Sequence, residues 1–494
     1  MAICLVGWRL SPFHPLASFP GPLWNRVTNL SVAYLTSTGK RHLAVKEYHD
    51  RYGTFVRIGP NSLSISSTAA VGPIYANTKC FDKSEAYRLG KVQGDGLFFM
   101  RSGKEHHPRR SLWAKAFTRS ALEGYWDFLT KRTEGLAAHI EEEASNGATV
   151  DLTDLFQRWT YDLMGEVVFG DSSGLEILRD GDPHGFVKCG QMATKMFEIL
   201  GAVPWLFDIL WHFSVTDDIH SLEKYAGGFM SDRVKNAGEG RQDLCSHLLG
   251  EHDDGKTQLS KETLDVESTF AVQAGSDSAA TVLSIAFVYI HSTPGVLERL
   301  SDELSKAFPS QDFTPEQAKL AALPYLDAVV NESLRLGTPF PGLPRVTPDG
   351  GITLSNTYVP AGTVVSVPAY TQQVSEENFY PFPLQFKPER WLPGGLGDGS
   401  VCNRSALMCF SFGPYSCLGR NLAIQEIRLA ISQLLLNFSF QFTEDFSPTK
   451  FLNGVTNVRS TFFERHLTVK ATPKRMMSQI VASSEKEESV GRRL

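Results

Sequence analysis

Phe410-Ser411-Phe412-Gly413-Pro414-Tyr415-Ser416-Cys417-Leu418-Gly419-Arg420-Asn421-Leu422-Ala423 decides how the rest of this chain is read. Gly413 and Pro414 impose a bend, and Gly419 lets another group approach the backbone closely. Beyond the bend Ala423, Ile427, Ile431, Leu434 and Phe438 recur at helical spacing, so Cys417 stands where a loop enters a buried helix. Backbone N–H groups at a helix start favour negative charge and hence a thiolate. A thiolate in a rigid turn against an apolar helix is what an axial haem ligand requires, because it pushes electron density onto iron and favours O–O cleavage. A buried structural cysteine at a helix start is the competing reading of the loop taken alone.

The segment resembles the haem-binding loop of the cytochrome P450 superfamily, Phe-x-x-Gly-x-Arg-x-Cys-x-Gly. Phe410, Gly413, Cys417 and Gly419 match, and Tyr415 stands where that family has Arg. The resemblance implies haem b (iron protoporphyrin IX), with Cys417 as the axial ligand to iron and Phe410 and Gly419 beside the cofactor. A second pattern lies 85 residues upstream of Cys417, where Glu332-Ser333-Leu334-Arg335 sits in a helix opened by Pro324 and closed by Gly337 and Pro339. Glu332 and Arg335 share one helix face and can pair. Read alone, they are a surface ion pair worth about 0.3–0.5 kcal/mol. Phe386-Lys387-Pro388-Glu389-Arg390-Trp391 follows about fifty residues on. By resemblance, Glu332, Arg335 and Arg390 form a buried structural cluster that braces the loop carrying Cys417.

The fold class expected is mainly α with a small β-sheet region, a cytochrome P450 fold holding haem between a long central helix and the helix after the cysteine loop. Residues 1–22 are expected to be a shortened lead and proline-rich hinge, 23–477 the catalytic domain, and 478–494 a disordered polar tail. Strands are expected at Phe55–Ile58, Ser62–Ser66, Ile352–Leu354, Tyr358–Val359 and Thr363–Val367, with helices dominating 120–335. Thr293-Pro294 and Thr314-Pro315-Glu316 read as helix starts, and Gly394–Gly399 as a surface loop. The 494 residues are 42% hydrophobic, enough for a large core, and 48 basic against 54 acidic residues exclude a general nucleic-acid binder. Seven scattered cysteines, Cys4, Cys80, Cys189, Cys245, Cys402, Cys409 and Cys417, fit free thiols in a reducing compartment better than a disulfide framework.

Ala274-Gly275-Ser276-Asp277-Ser278-Ala279-Ala280 lies within a helical stretch from about Glu262 to Ser292. Gly275 inside a helix costs about 1 kcal/mol against Ala, and space for a ligand is one reason to keep it. The segment resembles the family's Ala-Gly-x-Asp/Glu-Thr signature, in which an acid–alcohol pair delivers protons during oxygen reduction. Asp277 takes the acid's place, and Ser278 stands where the family usually has Thr. Serine lacks the methyl group that restricts rotation, which implies leakier proton delivery. The resemblance makes Asp277 and Ser278 the catalytic pair and puts Ala274 and Gly275 against haem.

Haem propionates need donors inside a protein. The family's Trp-x-x-x-Arg pair on an early helix corresponds here to His106-His107-Pro108-Arg109-Arg110, with His106 for Trp and Arg110 keeping the charge. Arg345 looks like a second propionate donor, and the Tyr415 replacement costs one charge. Arg109 and Lys115 are read as surface charges or as a docking site for an acidic redox partner.

Met1–Trp8 is apolar, but Arg9 ends the run well short of the about 20 residues of a spanning helix. The following Pro15, Pro20 and Pro22 look like the hinge after the membrane anchor of fungal microsomal members. This implies docking on the cytosolic face of the endoplasmic reticulum, peripherally or through a shortened anchor. The partners implied are O2, NADPH delivered through NADPH–cytochrome P450 reductase, cytochrome b5 as a second electron donor, and an apolar small molecule. The substrate cavity is expected along Leu97–Met100, Gly190–Leu210, Phe270–Ala274, Thr338–Leu343 and Leu452–Thr456, with Gln273 and Asn453 as polar handles. The reading is a monooxygenase of fungal secondary metabolism, tailoring a terpenoid or alkaloid. A reductase-independent peroxygenase or isomerase, a fatty-acid hydroxylase and a non-enzymatic haem or lipid carrier are the alternatives.

Overall fold

The computed structural model describes residues 2–76, 81–88, 94–236, 242–251, 259–309, 315–337, 342–458 and 460–475. The tail beyond 475, Thr314 and residues 338–341 therefore lie outside the described residues.

The molecule is built around one helix, Lys261–Ser292, here called the central helix. Ser260 caps it, its side chain accepting from Thr263 N–H, and its apolar residues run all round rather than along one stripe. It is the one helix among the described residues long and apolar enough to cross a membrane, yet most of that stretch is buried inside the protein. Against it pack the Tyr161 helix (Leu152–Phe169), the Glu332 helix (Pro324–Gly337) and the cysteine helix (Arg420–Asn437). Their apolar faces merge into one extended core.

A four-stranded sheet forms a second, smaller core. Phe55–Gly59 pairs antiparallel with Ser62–Ile65, which pairs parallel with Val364–Ser366, and Arg345–Val346 closes the edge antiparallel. Lys83 then bridges Arg345 as an isolated antiparallel pair, which sets two cationic residues side by side. The expected strands are present to within a residue or two. Two boundaries differ. The helix assigned to Thr293-Pro294 begins at Val296, because Gly295 takes a left-handed φ of 81° that Pro294 could not supply. The hinge is no separate lead: Leu16 and Phe19 are buried in the sheet's core, and Arg57 N–H bonds to Pro20 O at 2.7 Å.

Candidate active site

The cysteine loop is held from both ends. Gly413 sits at a φ of +65°, and a Cβ there would lie 2.3 Å from Tyr75 O, so the bend needs glycine at this position. Cys417 N–H donates to Phe410 O at 2.8 Å, closing the loop that enters the cysteine helix, and Arg420 lies over the Phe410 ring. A Cβ on Gly419 would stand 3.9 Å from Cys417 Sγ, in ordinary contact, which places Gly419 beside the sulfur. Cys417 is exposed as a residue, but burial pushes its thiol pKa up. The N–H groups of Gly419 and Arg420 and the charge of Arg110 oppose that rise without reversing it.

Glu332, Arg335 and Arg390 meet in the interior. Arg335 Nε and Nη2 both donate to Glu332 at 2.7 Å, and Arg390 Nε donates at 3.0 Å. Lys387 N–H and Trp391 Nε1 complete five hydrogen bonds to the one carboxylate. Burial pushes the Glu332 carboxyl up, but Arg335 first and Arg390 after it bring its pKa below the ordinary value. The connection to the cysteine loop runs through Gln373, which the sequence reading missed. Arg335 Nη1 donates to Gln373 O at 2.7 Å, Gln373 Nε2 returns to Arg335 O at 2.6 Å, and Gln373 Oε1 accepts from Met408 N–H at 3.1 Å. Gln373 belongs to no motif in the chain, so only its hydrogen bonds could reveal it.

On the central helix the acid and the alcohol diverge. Successive helical residues point about 100° apart. Asp277 is buried against the Tyr161 helix, accepting from Tyr161 Oη at 3.1 Å. Burial pushes its pKa up to about 6, Tyr161 and Gln157 opposing. Ser278 is exposed, and its hydroxyl donates to Ala274 O at 2.7 Å. Between Thr263 and His291 only Ala274 and Ser278 are exposed, one turn apart on an otherwise buried helix. Gly275 does not share that face: a Cβ there would lie 2.6 Å from Met164 Sδ, so the glycine admits the Tyr161 helix rather than a ligand.

A cationic cluster surrounds Tyr415. Its ring lies 4.4 Å from that of His106, 4.8 Å from Lys83 Nζ and 4.9 Å from the Arg345 guanidinium. Arg345 is fully buried, donates to Tyr87 Oη at 3.0 Å, and leaves its Nε without a partner. Arg110 donates to Ser416 O at 2.7 Å and to Ser416 Oγ at 3.0 Å, so it also anchors the residue before Cys417. Burial, then Lys83, Arg110 and Arg345, drive the His106 pKa down to about 3, which keeps the imidazole neutral. Lys83 went unnoticed in the sequence because it sits in a loop more than 300 residues from Tyr415 and joins it only through the Arg345 bridge. Arg109 is not a docking charge: it pairs with the buried Glu267 of the central helix at 2.5 Å.

Phe98, Phe99, Phe197 and Phe270 form an aromatic cluster, with Phe98 and Phe270 stacked at 4.7 Å and Phe99 5.9 Å from Phe197. Of the two expected polar handles, Gln273 packs between Gly190 and Tyr161 rather than against these rings. A separate cleft of about 600 Å3, lined by Arg41, Asp82, Arg101 and Glu198 among others, opens beside the sheet and does not include Cys417 or Ser278.

The cytochrome P450 family model matches residues 18–462, across both the cysteine loop and the buried Glu332 cluster. The chain is a cytochrome P450. A cytochrome P450 from Uromyces fabae is 31% identical, covering 94% of this chain and 87% of the relative. A cytochrome P450 monooxygenase of Aspergillus oryzae, astJ, is 31% identical over 87% of each chain. The tryprostatin B 6-hydroxylase of Neosartorya fischeri is 28% identical, covering 92% and 83%. This P450 is a haem-thiolate monooxygenase, an oxidoreductase that takes O2 and a small-molecule substrate and draws electrons from a redox partner. Its residues fit the cofactor: an accessible cysteine, a helix exposed at two positions one turn apart, and a buried guanidinium with a free N–H beside a neutral imidazole.

Proposed function

We propose that this P450 inserts one oxygen atom into an apolar small molecule of fungal secondary metabolism, with NADPH–cytochrome P450 reductase as its main electron source and cytochrome b5 as a second. The observation that carries the reading is Ser278 exposed next to the buried Asp277, a proton-handling pair that a haem or lipid carrier has no use for. The aromatic cluster of Phe98, Phe99, Phe197 and Phe270 supports an apolar substrate, and the tailoring role rests on the relatives named above. When bound, haem with a cysteine thiolate supplies electron density for O–O cleavage.

The chain's own residues divide the remaining work. Cys417 is the ligand to iron. Arg345, Arg110 and Lys83, whose ammonium also donates to the Leu97 and Phe98 carbonyls, would supply cations for the two propionates, Lys83 replacing the charge absent at Tyr415, and His106 would offer a neutral N–H in place of indole. Ala274 and Phe410 are apolar neighbours of the cofactor. Ser278 holds and passes a proton at its hydroxyl, resupplied from Asp277 after a side-chain swing or through water, since the two share no hydrogen bond. Lys83→Met, which keeps the apolar stem, is expected to release haem roughly tenfold or more faster, as follows from about 1.5–3 kcal/mol for a charged hydrogen bond. Transfer of haem to apomyoglobin measures this, and an unchanged rate removes Lys83 from the site.

Exposed apolar residues support a membrane-facing surface on the cytosolic side of the endoplasmic reticulum. Ile3, Phe13, Trp24 and Tyr34 are each at least 74% exposed. The helix Leu30–Ser37 packs on Phe186–Gly201, whose chain continues into Pro204–Leu210 with Trp205 and Ile209 exposed.

Reconstitution with reductase tests the function. Asp277→Asn is expected to slow NADPH-dependent turnover roughly a hundredfold, at the low end of a general-acid contribution, with substrate affinity nearly unchanged. Ser278→Thr is expected to raise product formed per NADPH. A large loss of affinity without change in coupling removes the proton-delivery role. Full activity without NADPH and reductase favours the peroxygenase.

A further inference from the structure

Asp277 is a buried acid met by side-chain hydrogen bonds and no cation, whereas the buried Asp162 is held by the backbone N–H groups of Ile177 and Leu178 and the buried Glu426 leaves its Oε2 without a partner. Glu332 is held by Arg335 and Arg390, Glu267 by Arg109, and Asp243 by Arg233. Asp277 has no such cation. From the Tyr161 helix it is met by Tyr161 Oη at 3.1 Å and by Gln157 Nε2, more weakly, at 3.5 Å on the same oxygen. On its own helix the neighbouring polar groups are Gln273, Ser276, Ser278 and Thr281, of which Ser276 and Thr281 bond to backbone carbonyls of Thr160 and Thr461. Asp182, in the turn before the helix Phe186–Gly201, bears on Tyr161 with a second negative charge. None of these groups is an arginine, a lysine or a histidine.

Glycine at position 190 makes the arrangement possible. A Cβ there would lie 2.2 Å from Gln273 Nε2 and 3.1 Å from Tyr161 Oη. The missing side chain leaves the space in which the Gln273 amide lies beside the phenol. Tyr161 itself is fully buried, with the Phe186 ring 5.7 Å away edge-on, so its hydroxyl has little freedom to turn elsewhere.

We infer that Tyr161 is the positioning residue for Asp277: a neutral phenol, with the Gln273 amide beside it in the space that Gly190 leaves, holds the acid by a hydrogen bond rather than by an ion pair. The inference rests on the proton-delivery role of Asp277 proposed above. A guanidinium lowers the pKa of Glu332, whereas burial still raises those of Asp243 beside Arg233 and Glu267 beside Arg109, so an arginine opposes burial without always overcoming it. Burial raises the Asp277 pKa to about 6, and the hydrogen bond from the phenol opposes that rise without cancelling it. That lets it both take up and give up a proton during turnover.

The sign of the effect is fixed. A donated O–H favours the ionised carboxyl, so removing it raises the pH at which Asp277 titrates. The Asp277 carboxyl band is followed by infrared difference spectroscopy in haem-loaded protein, assigned by its loss in Asp277→Asn. NADPH oxidation with reductase is recorded over the same pH range, and the carbon monoxide spectrum checks haem loading. Tyr161→Phe is expected to move the infrared midpoint up by about one pH unit, the scale of a single hydrogen bond. Gln157→Lys, which brings an ammonium to the same oxygen, is expected to move it down. An unmoved midpoint in both variants overturns the positioning role. If the midpoints move but Asp277→Asn leaves the pH profile of NADPH oxidation as it was, the positioning role stands and the proton-delivery reading fails.

Discussion

Glu332→Ala protein is expected to accumulate mainly haem-free or aggregated, with little reduced carbon monoxide spectrum of any kind. The substitution strands Arg335 and Arg390, both buried, and removes five hydrogen bonds at once. Breaking a buried pair costs about 3–5 kcal/mol, a large share of the about 5–15 kcal/mol that holds a typical domain together. The damage also travels. Arg335 is bonded to Gln373 in both directions, and Gln373 fixes Met408, whose carbonyl accepts from Ser411 N–H inside the cysteine loop. Loss of Glu332 therefore loosens the loop that carries Cys417 as well as the cluster itself. Glu332→Gln keeps the shape and part of the bonding, and should retain more haem than Glu332→Ala. Well-folded, haem-loaded Glu332→Ala with only a slower rate would show that the cluster takes part in chemistry instead.

Cys417→Ala is expected to abolish the long-wavelength Soret band of the reduced, carbon monoxide-bound protein, together with all monooxygenase activity. No other described cysteine can take over. Cys409 lies in the same loop, but burial raises its thiol to about 12; Cys189 and Cys245 are buried elsewhere, Cys402 packs beside Trp391 and Ala406, and Cys4 is in the first helix, Ala2–Leu10. The loop should keep its fold, because Cys417 contributes to it through its backbone N–H, which alanine retains. Retention of both haem and the long-wavelength band in Cys417→Ala would mean that another group ligates the iron.

The bracing cluster and the ligand were legible in the chain because each rests on short-range rules. Gly413 and Pro414 make the bend, helical spacing from Ala423 makes the cysteine helix, and Glu332 and Arg335 share a face by virtue of being three apart. Pro324 and Gly337 bound their helix as the local signals indicate, because N1 proline and terminal glycine act within one turn. The central helix was legible for the same reason, its helical run from about Glu262 to Ser292 being local.

What local rules do not encode is which way each side chain faces once helices pack. Asp277 and Ser278 adjoin in the chain yet serve different sides of the helix, and only the approach of Tyr161 shows which side the acid takes. Gly275 looked like room for a ligand and is room for Met164. Arg109 looked like surface and reaches a carboxylate 158 residues away. Lys83 and Tyr415 carry no shared motif, and a single backbone bridge between Lys83 and Arg345 assembles the cationic site around them. Spacing along single segments was enough for the helical class, the family and the candidate ligand Cys417. The tertiary structure alone decided the partners of the buried charges, because in a low-dielectric interior a charge is governed by whatever group packing brings against it.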